Sequence, residues 1–136
     1  MNFSLIFKEY YPHPIEKVWA AVTDPEALSE WLMETDFEAT EGRRFAFWSQ
    51  APFSGIPRIE CQMLEMVPPV RMAWSWQGQD MKAPTQLVFE LKAVAGGGTS
   101  FTLRHMDETG EAAGELRKSG WPGNMTNLDT WLDMRL

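Results

Sequence analysis

The spacing of hydrophobic residues near the start of the chain predicts one strand followed by two short helices. Residues 3–10 alternate loosely between apolar and polar side chains, as a strand does. Pro14 suits the first turn of a helix, where its missing N–H is not needed, and apolar residues then recur at helical spacing up to Val22. Asp24 followed by Pro25 is a typical helix start, with the carboxylate as cap, so we expect a second short helix there.

From about residue 35 to residue 106 the apolar positions recur at every second residue. Such alternation is typical of antiparallel strands with one covered face. Pro68-Pro69 and Gly96-Gly97-Gly98 interrupt it and predict turns. The residues that share the covered face in the successive stretches are Phe45 and Phe47; Ile59, Cys61 and Met63; Val70, Met72, Trp74 and Trp76; Leu87, Phe89 and Leu91; and Phe101, Leu103 and His105.

The last part of the chain has the pattern of an amphipathic helix. Trp121, Met125, Leu128 and Leu132 follow one another at steps of four, three and four, which places them on one stripe. A helix over about 111–118 is expected to kink or restart at Pro122. A long helix with one apolar stripe can lie across a curved sheet. The predicted fold class is therefore α+β, in one domain spanning residues 1–136.

Several segments resemble a known family. Residues 14–28, Pro-Ile-Glu-Lys-Val-Trp-Ala-Ala-Val-Thr-Asp-Pro-Glu-Ala-Leu, closely resemble the opening motif of the START-like superfamily, also called SRPBCC or helix-grip, with a Bet v-type fold. Residues 65–74, residues 98–105 and Gly120-Trp121 agree with it in order and spacing. The resemblance is best to the AHSA-like branch, which is related to the activator of the heat-shock protein 90 ATPase.

The resemblance implies a seven-stranded antiparallel sheet wrapped around a long C-terminal helix, with two short helices after the first strand. It also implies a pocket between sheet and helix. Members of the superfamily include lipid and hormone carriers, aromatic cyclases and chaperone-activating domains. A fold does not choose among these activities, so the function has to be inferred from the site.

Charge and composition exclude several classes of partner. The formal net charge of −7 disfavours nucleic acid and anionic membranes, because binding to phosphate requires clustered Lys or Arg. No apolar run approaches the ~18 residues of a membrane span, and the start lacks the pattern of a secretion signal. The single cysteine, Cys61, forms no intramolecular disulfide. We therefore expect a cytoplasmic protein without membrane insertion.

Aromatic side chains dominate the predicted covered faces. The chain has seven tryptophans, and a small domain does not leave many such side chains in water. If the helix stands apart from the sheet, they line an apolar cavity, the usual form of a small-molecule site. A solid core explains the same residues equally well on physical grounds, and the resemblance favours the cavity. The predicted ligand-binding residues are Trp31, Phe45, Phe47, Met63, Met72, Trp74, Trp76, Phe89, Phe101, His105, Trp121 and Met125.

His105 is the most interesting polar candidate, because its parity with Phe101 and Leu103 points it inward. One interpretation is a core histidine with its hydrogen bonds satisfied. The other is a group that orients a ligand's carbonyl or carboxyl, or that acts as acid or base near neutral pH. His13 precedes a helix and is expected on the surface.

The remaining polar residues offer little catalytic chemistry. Glu60 and Glu90 point outward by parity, as do Arg58 and Arg71, so no carboxylate pair is expected inside a pocket. There is no Gly-x-Ser-x-Gly elbow, no His-Glu-x-x-His motif and no phosphate loop. Two histidines and one cysteine make a transition-metal site improbable. We expect neither a metal nor a cofactor, and no catalytic residue is assigned.

Three functions remain open. The leading hypothesis is non-catalytic binding of a small hydrophobic or aromatic molecule between the sheet and the C-terminal helix. The second is a chaperone-activator-like module that contacts a protein partner, such as a chaperone, through residues 48–53. The third is a cyclase- or hydrolase-like enzyme using His105. The protein is expected to be a monomer or a homodimer, since an edge strand such as residues 35–48 could pair with a second copy.

Overall fold

The computed structural model describes residues 3–48, 58–78, 81–107 and 121–135. The strands form one curved antiparallel sheet in the order β1-β7-β6-β5-β4-β3-β2. The α+β fold, with two short helices after β1 and a helix at the C-terminal end, is confirmed. Along the chain the elements are β1 (Phe3–Tyr11), α1 (Ile15–Thr23), α2 (Pro25–Trp31), β2 (Glu34–Thr35), β3 (Arg44–Trp48), β4 (Arg58–Val67), β5 (Arg71–Gly78), β6 (Thr85–Ala93), β7 (Thr99–Asp107) and α3 (Trp121–Asp133).

The two short helices begin where the sequence predicts. Pro14 precedes α1, and Asp24 caps α2, with its carboxylate accepting a hydrogen bond of 3.4 Å from the Ala27 backbone N–H. Trp31, the last residue of α2, donates its indole N–H to the carbonyl of Ala21 in α1 at 2.9 Å. This bond fixes the angle between the helices and turns the Trp31 ring into the core.

The turns between strands also follow the prediction. Pro68-Pro69 lies in the turn between β4 and β5. Gly96 and Gly97 have φ values of 94° and 89°, in the left-handed region that glycine adopts without steric cost. The turn between β6 and β7 therefore depends on two of its three glycines.

A bulge in β4 changes the simple alternation of that strand. The register with β5 shifts between Met63 and Glu65, so that Met63 opposes Trp74 and Met66 opposes Met72. Both Met63 and Met66 consequently pack against the core, whereas Leu64 is 44% exposed.

Residues 35–48 do not form the single edge strand that the sequence suggests. They divide between the short β2 and β3, where Thr35 opposes Phe47. The intervening residues bond to the backbone through side chains: Asp36 accepts from the Ala46 N–H at 2.8 Å, and Thr35 donates to the Ala46 carbonyl at 2.7 Å. These side-chain bonds replace part of the ladder that one long strand would need.

Helix α3 lies against the inner face of the sheet and buries the predicted stripe of Trp121, Met125, Leu128 and Leu132. Pro122 occupies its second position, where the missing N–H is tolerated. The helix expected over 111–118 lies outside the described residues. The Tyr11 hydroxyl donates to the Met125 carbonyl at 3.1 Å and so ties the helix to β1. No helix in the described ranges is long and apolar enough to cross a membrane.

Candidate ligand-binding site

All of the predicted ligand-binding residues are buried, and none is more than 5% exposed. They come from α2, from strands β3 to β7 and from α3, and their apolar members belong to one hydrophobic cluster between the sheet and the helices. The inward parity deduced for these residues is therefore right, whereas Val70, which the same alternation placed inward, lies in the turn before β5 and is 43% exposed. Burial alone fits a solid core as well as a ligand site, so the role of these residues in binding stays a prediction.

Trp74 on β5 lies at the centre of one half of this cluster. Its ring centroid is 5.2 Å from that of Phe45, 5.6 Å from that of Phe47 and 4.6 Å from that of Phe89. Phe37, with its ring 5.5 Å away, completes the group. Sequence reasoning missed Phe37 because it lies between β2 and β3, where no hydrophobic period marks it as buried.

Trp76 connects the sheet to α3 in the other half. Its ring centroid is 5.3 Å from that of Trp121 on the helix and 5.9 Å from that of His105 on β7. Trp121 also contacts Phe89, with a centroid distance of 6.4 Å. Aromatic rings thus form the contact between helix and sheet at the start of α3.

His105 is fully buried, and its hydrogen bonds define its tautomer. The Thr85 hydroxyl donates its one hydrogen to the Trp76 carbonyl at 2.7 Å. The 2.7 Å contact between Thr85 Oγ1 and His105 Nε2 must therefore be an N–H donated by the imidazole. Nδ1 is then left with a lone pair.

Burial also keeps His105 neutral. Loss of hydration lowers the pKa of His105 to about 4, against the opposing effect of the Asp107 carboxylate, which raises it. At neutral pH the Nδ1 atom is an acceptor inside an apolar cluster. Among the described residues it has no hydrogen-bond partner.

Two tryptophans share this property. In the described part of the chain, the indole nitrogens of Trp74 and Trp121 are buried without a hydrogen-bond partner. By contrast, Trp31 donates to a backbone carbonyl and Trp131 donates to Glu30 at 2.9 Å. Buried polar groups are paired in most folded proteins, so three unpaired nitrogens in one cluster are unusual. No sequence pattern shows which indoles remain unpaired, because the partners come from distant elements.

His13 is less exposed than the sequence predicted. Its side chain is only 14% exposed and its Nε2 is 2.8 Å from Asp133 at the end of α3. Lys17 bonds to the other ring nitrogen at 3.1 Å. The local sequence could not show this contact, because Asp133 is 120 residues away in the chain.

The remaining polar candidates lie where parity placed them. Arg58 pairs with Glu60, and Arg71 lies 2.7 Å from Glu65, on the outer face and partly in solvent. Such pairs contribute little to stability. Cys61 is buried, and loss of hydration raises the pKa of its thiol, which disfavours a nucleophile. No cluster of potential metal-ligating side chains occurs in the ranges that the structure describes.

A separate cleft of about 770 Å³ lies mainly on the outer face of the sheet. None of the predicted ligand-binding residues lines it. Its mixed polar and apolar lining could not be distinguished in the sequence from an ordinary solvated strand face. The following residues line it and form one cross-strand row over six strands: Arg44, Gln62, Ser75, Gln86, Met106 and Ser4.

Comparison with known families accounts for this architecture. The sequence model of the family described as "Activator of Hsp90 ATPase homolog 1-like protein" matches residues 12–133. The chain belongs to this family. The AHSA-like resemblance of the opening motif is thereby confirmed, together with the helix-grip fold it implies.

Solved structures of similar chains agree with the AHSA1-like assignment. Protein MLL2253 from Mesorhizobium loti is 26% identical, with a TM-score of 0.81, and the match covers 98% of this chain and 99% of that one. CalU16 from Micromonospora echinospora is also 26% identical, with a TM-score of 0.77 and coverage of 95% and 75%.

DynU16, a protein from the dynemicin biosynthetic locus, is 21% identical, with a TM-score of 0.79 and coverage of 96% and 47%. At that identity the likeness shows the fold alone. No curated protein matches the chain significantly. The family and the fold are established, and the ligand or activity has to be argued from the AHSA1-like site itself.

Proposed function

We propose that this protein binds a small hydrophobic or aromatic molecule between the inner face of the sheet and α3, without catalysing a reaction. The observation that carries the proposal is the presence of unpaired polar nitrogens within a buried aromatic cluster. A ligand in contact with Trp74, His105 and Trp121 would satisfy these nitrogens and bury its own apolar surface.

The elements around the cluster suit such a role. Helix α3 contributes Trp121 and Met125, and its start contacts the sheet through aromatic rings. Methionines such as Met63, Met72 and Met125 are flexible and adapt to the shape of a neighbouring group. A ligand would enter by separating Trp121 from Trp76 rather than by filling the outer cleft.

Catalysis by His105 is supported less well. A histidine whose pKa is about 4 is a weak base at neutral pH, and no other described titratable group is paired with its Nδ1.

The protein-interaction hypothesis depends on residues 48–53, and all but Trp48 lie outside the described residues. Trp48 is half-buried, with the Arg58 guanidinium 5.8 Å from its ring centre. We further propose one cytoplasmic domain over 1–136, with a small hydrophobic ligand as its main partner.

A thermal-shift and NMR experiment with naphthalene and the neutral 1-dodecanol tests the proposal. A ligand that binds only the native state raises the melting temperature. At a free ligand concentration of a hundred times Kd, it adds about 2.7 kcal/mol to the free energy of unfolding. The indole ¹H–¹⁵N signals of Trp74 and Trp121 should move, while that of Trp131 serves as an internal control. If neither probe stabilises the protein or moves the two indole signals, the proposal is wrong.

A further inference from the structure

The unpaired nitrogens on the sheet lie on either side of Leu87. On the inner face, Leu87 of β6 is directly opposite Trp74 on β5 and directly opposite His105 on β7. The three residues therefore occupy one cross-strand row, with the fully buried Leu87 in the middle. Adjacent strands lie about 4.8 Å apart, so Trp74 and His105 are about 10 Å apart at the backbone.

The third unpaired nitrogen comes from the helix above this row. The Trp121 ring contacts Trp76, which opposes Thr85 on one side of Leu87, and Phe89, which follows Leu87 on the other side. A ring in contact with both lies near the row of Trp74 and Leu87, which separates Trp76 from Phe89. The three residues whose nitrogens lack partners thus lie around one apolar position, at a backbone spacing that one small molecule can span.

The polarity of the three atoms is complementary rather than uniform. The indoles of Trp74 and Trp121 can only donate a hydrogen bond, and Nδ1 of His105 can only accept one while Nε2 donates to Thr85. A hydroxyl group both accepts and donates, so one hydroxyl can satisfy an indole and the imidazole together. An ether oxygen can satisfy only the indole, and a hydrocarbon satisfies neither.

The charge of the surroundings excludes an ionised ligand. The buried side chains of the cluster include no Lys or Arg within the described ranges. A carboxylate or phosphate placed there would be a buried charge without a counter-ion, which is strongly unfavourable. The site therefore suits a neutral head group.

We propose that the ligand of this site is a neutral apolar molecule bearing a hydroxyl group, whose oxygen accepts from the indole N–H of Trp121 and whose hydrogen is donated to His105 Nδ1. Trp74 donates to a second oxygen where the ligand has one. This inference rests on the proposed binding function and adds the chemical class of the ligand.

Three naphthalene probes of similar shape test the class: 2-naphthol, 2-methoxynaphthalene and naphthalene. We expect calorimetry to show 2-naphthol binding roughly tenfold tighter than the other two, since only its hydroxyl can pair with Nδ1. In the unmodified protein, the Trp121 indole proton should move further downfield with 2-naphthol than with naphthalene, because only 2-naphthol of the two accepts a hydrogen bond from it. These NMR signals do not depend on whether any variant folds.

Trp121→Phe and Trp131→Phe form a matched pair on α3. Each removes one indole N–H, but that of Trp131 is bonded to Glu30 outside the cluster. Trp121→Phe should weaken 2-naphthol binding about fivefold and change naphthalene binding less than about twofold, while Trp131→Phe changes neither.

The outcomes separate the two proposals. If naphthalene binds as tightly as 2-naphthol, or if Trp121→Phe leaves 2-naphthol binding unchanged, the hydroxyl class is wrong and the binding function stands. If none of the three probes binds, both proposals are overturned.

Discussion

At the scale of single residues, environment rather than identity decides chemistry. His105 and His13 are the same residue type, yet His105 is fully buried and donates only to Thr85, whereas His13 lies between Lys17 and Asp133. Strand parity was sufficient to place His105 inside. It could not reveal that one ring nitrogen has a partner and the other has none among the described residues.

The pH dependence of stability should carry a contribution from His105. Its pKa is about 4 in the folded protein and about 6.5 in the unfolded chain, so between these values only the unfolded chain binds the proton. The contribution of His105 to the free energy of unfolding is therefore greatest above pH 6.5. It falls as the pH is lowered from 6.5 to 4 and does not change further below pH 4. The total loss is about 3 kcal/mol.

Urea unfolding of the wild type and of His105→Phe, from pH 7.5 to pH 4, measures this contribution. The variant keeps an aromatic ring but does not titrate, and effects of carboxylates cancel in the difference. The wild type should lose more stability than the variant as the pH falls. The prediction would be contradicted if the difference in unfolding free energy between wild type and variant did not change with pH. An NMR titration that gave His105 a pKa near 6.5 would contradict it as well.

At the scale of elements, local patterns predicted the helices and strands well, and long-range bonds modified them. The caps of α2 and the stripe of α3 are local features and were correct. The bulge at Leu64 and the division of residues 35–48 into β2 and β3 depend on pairing with other strands and on the Asp36 and Thr35 side chains. A period of two cannot show either feature.

Lys17 of α1 should stabilise the end of α3. Its ammonium group donates to the carbonyl of Leu132 at 2.8 Å and also to that of Arg135, at the negative end of the helix dipole. Lys17→Met keeps most of the aliphatic stem and removes these bonds, and we expect a loss of about 1–2 kcal/mol in urea unfolding. Lys92→Met, at an exposed position on β6, is the control; an equal effect of both variants would refute a capping role.

At the scale of the whole molecule, the sheet has two faces with different uses. The inner face holds a buried aromatic cluster that joins strands β3 to β7 to all three helices, and the outer face carries ion pairs and a cleft of mixed polarity. Trp121 links helix α3 to the sheet, because its ring contacts both Trp76 on β5 and Phe89 on β6.

Removing the Trp121 side chain should therefore weaken the whole fold. Trp121→Ala leaves a cavity between helix and sheet, and we expect a loss of about 3–5 kcal/mol in the free energy of unfolding. Met134→Ala, at a position that is 73% exposed near the end of the same helix, should change it by less than about 0.5 kcal/mol. A loss below about 1 kcal/mol for Trp121→Ala would mean that α3 is held mainly by its other contacts.

The sequence by itself determined the features that depend on near neighbours: the order of helices and strands, their caps and turns, and the side chains that face inward. Each follows from spacing and from the chemistry of a few adjacent residues. Only the tertiary structure decided the strand register, the position of Phe37, the partner of His13, the outer cleft and the three nitrogens left without partners. These features depend on contacts between elements far apart in the chain, because the atoms that bury a group or form its hydrogen bonds come from residues distant in sequence.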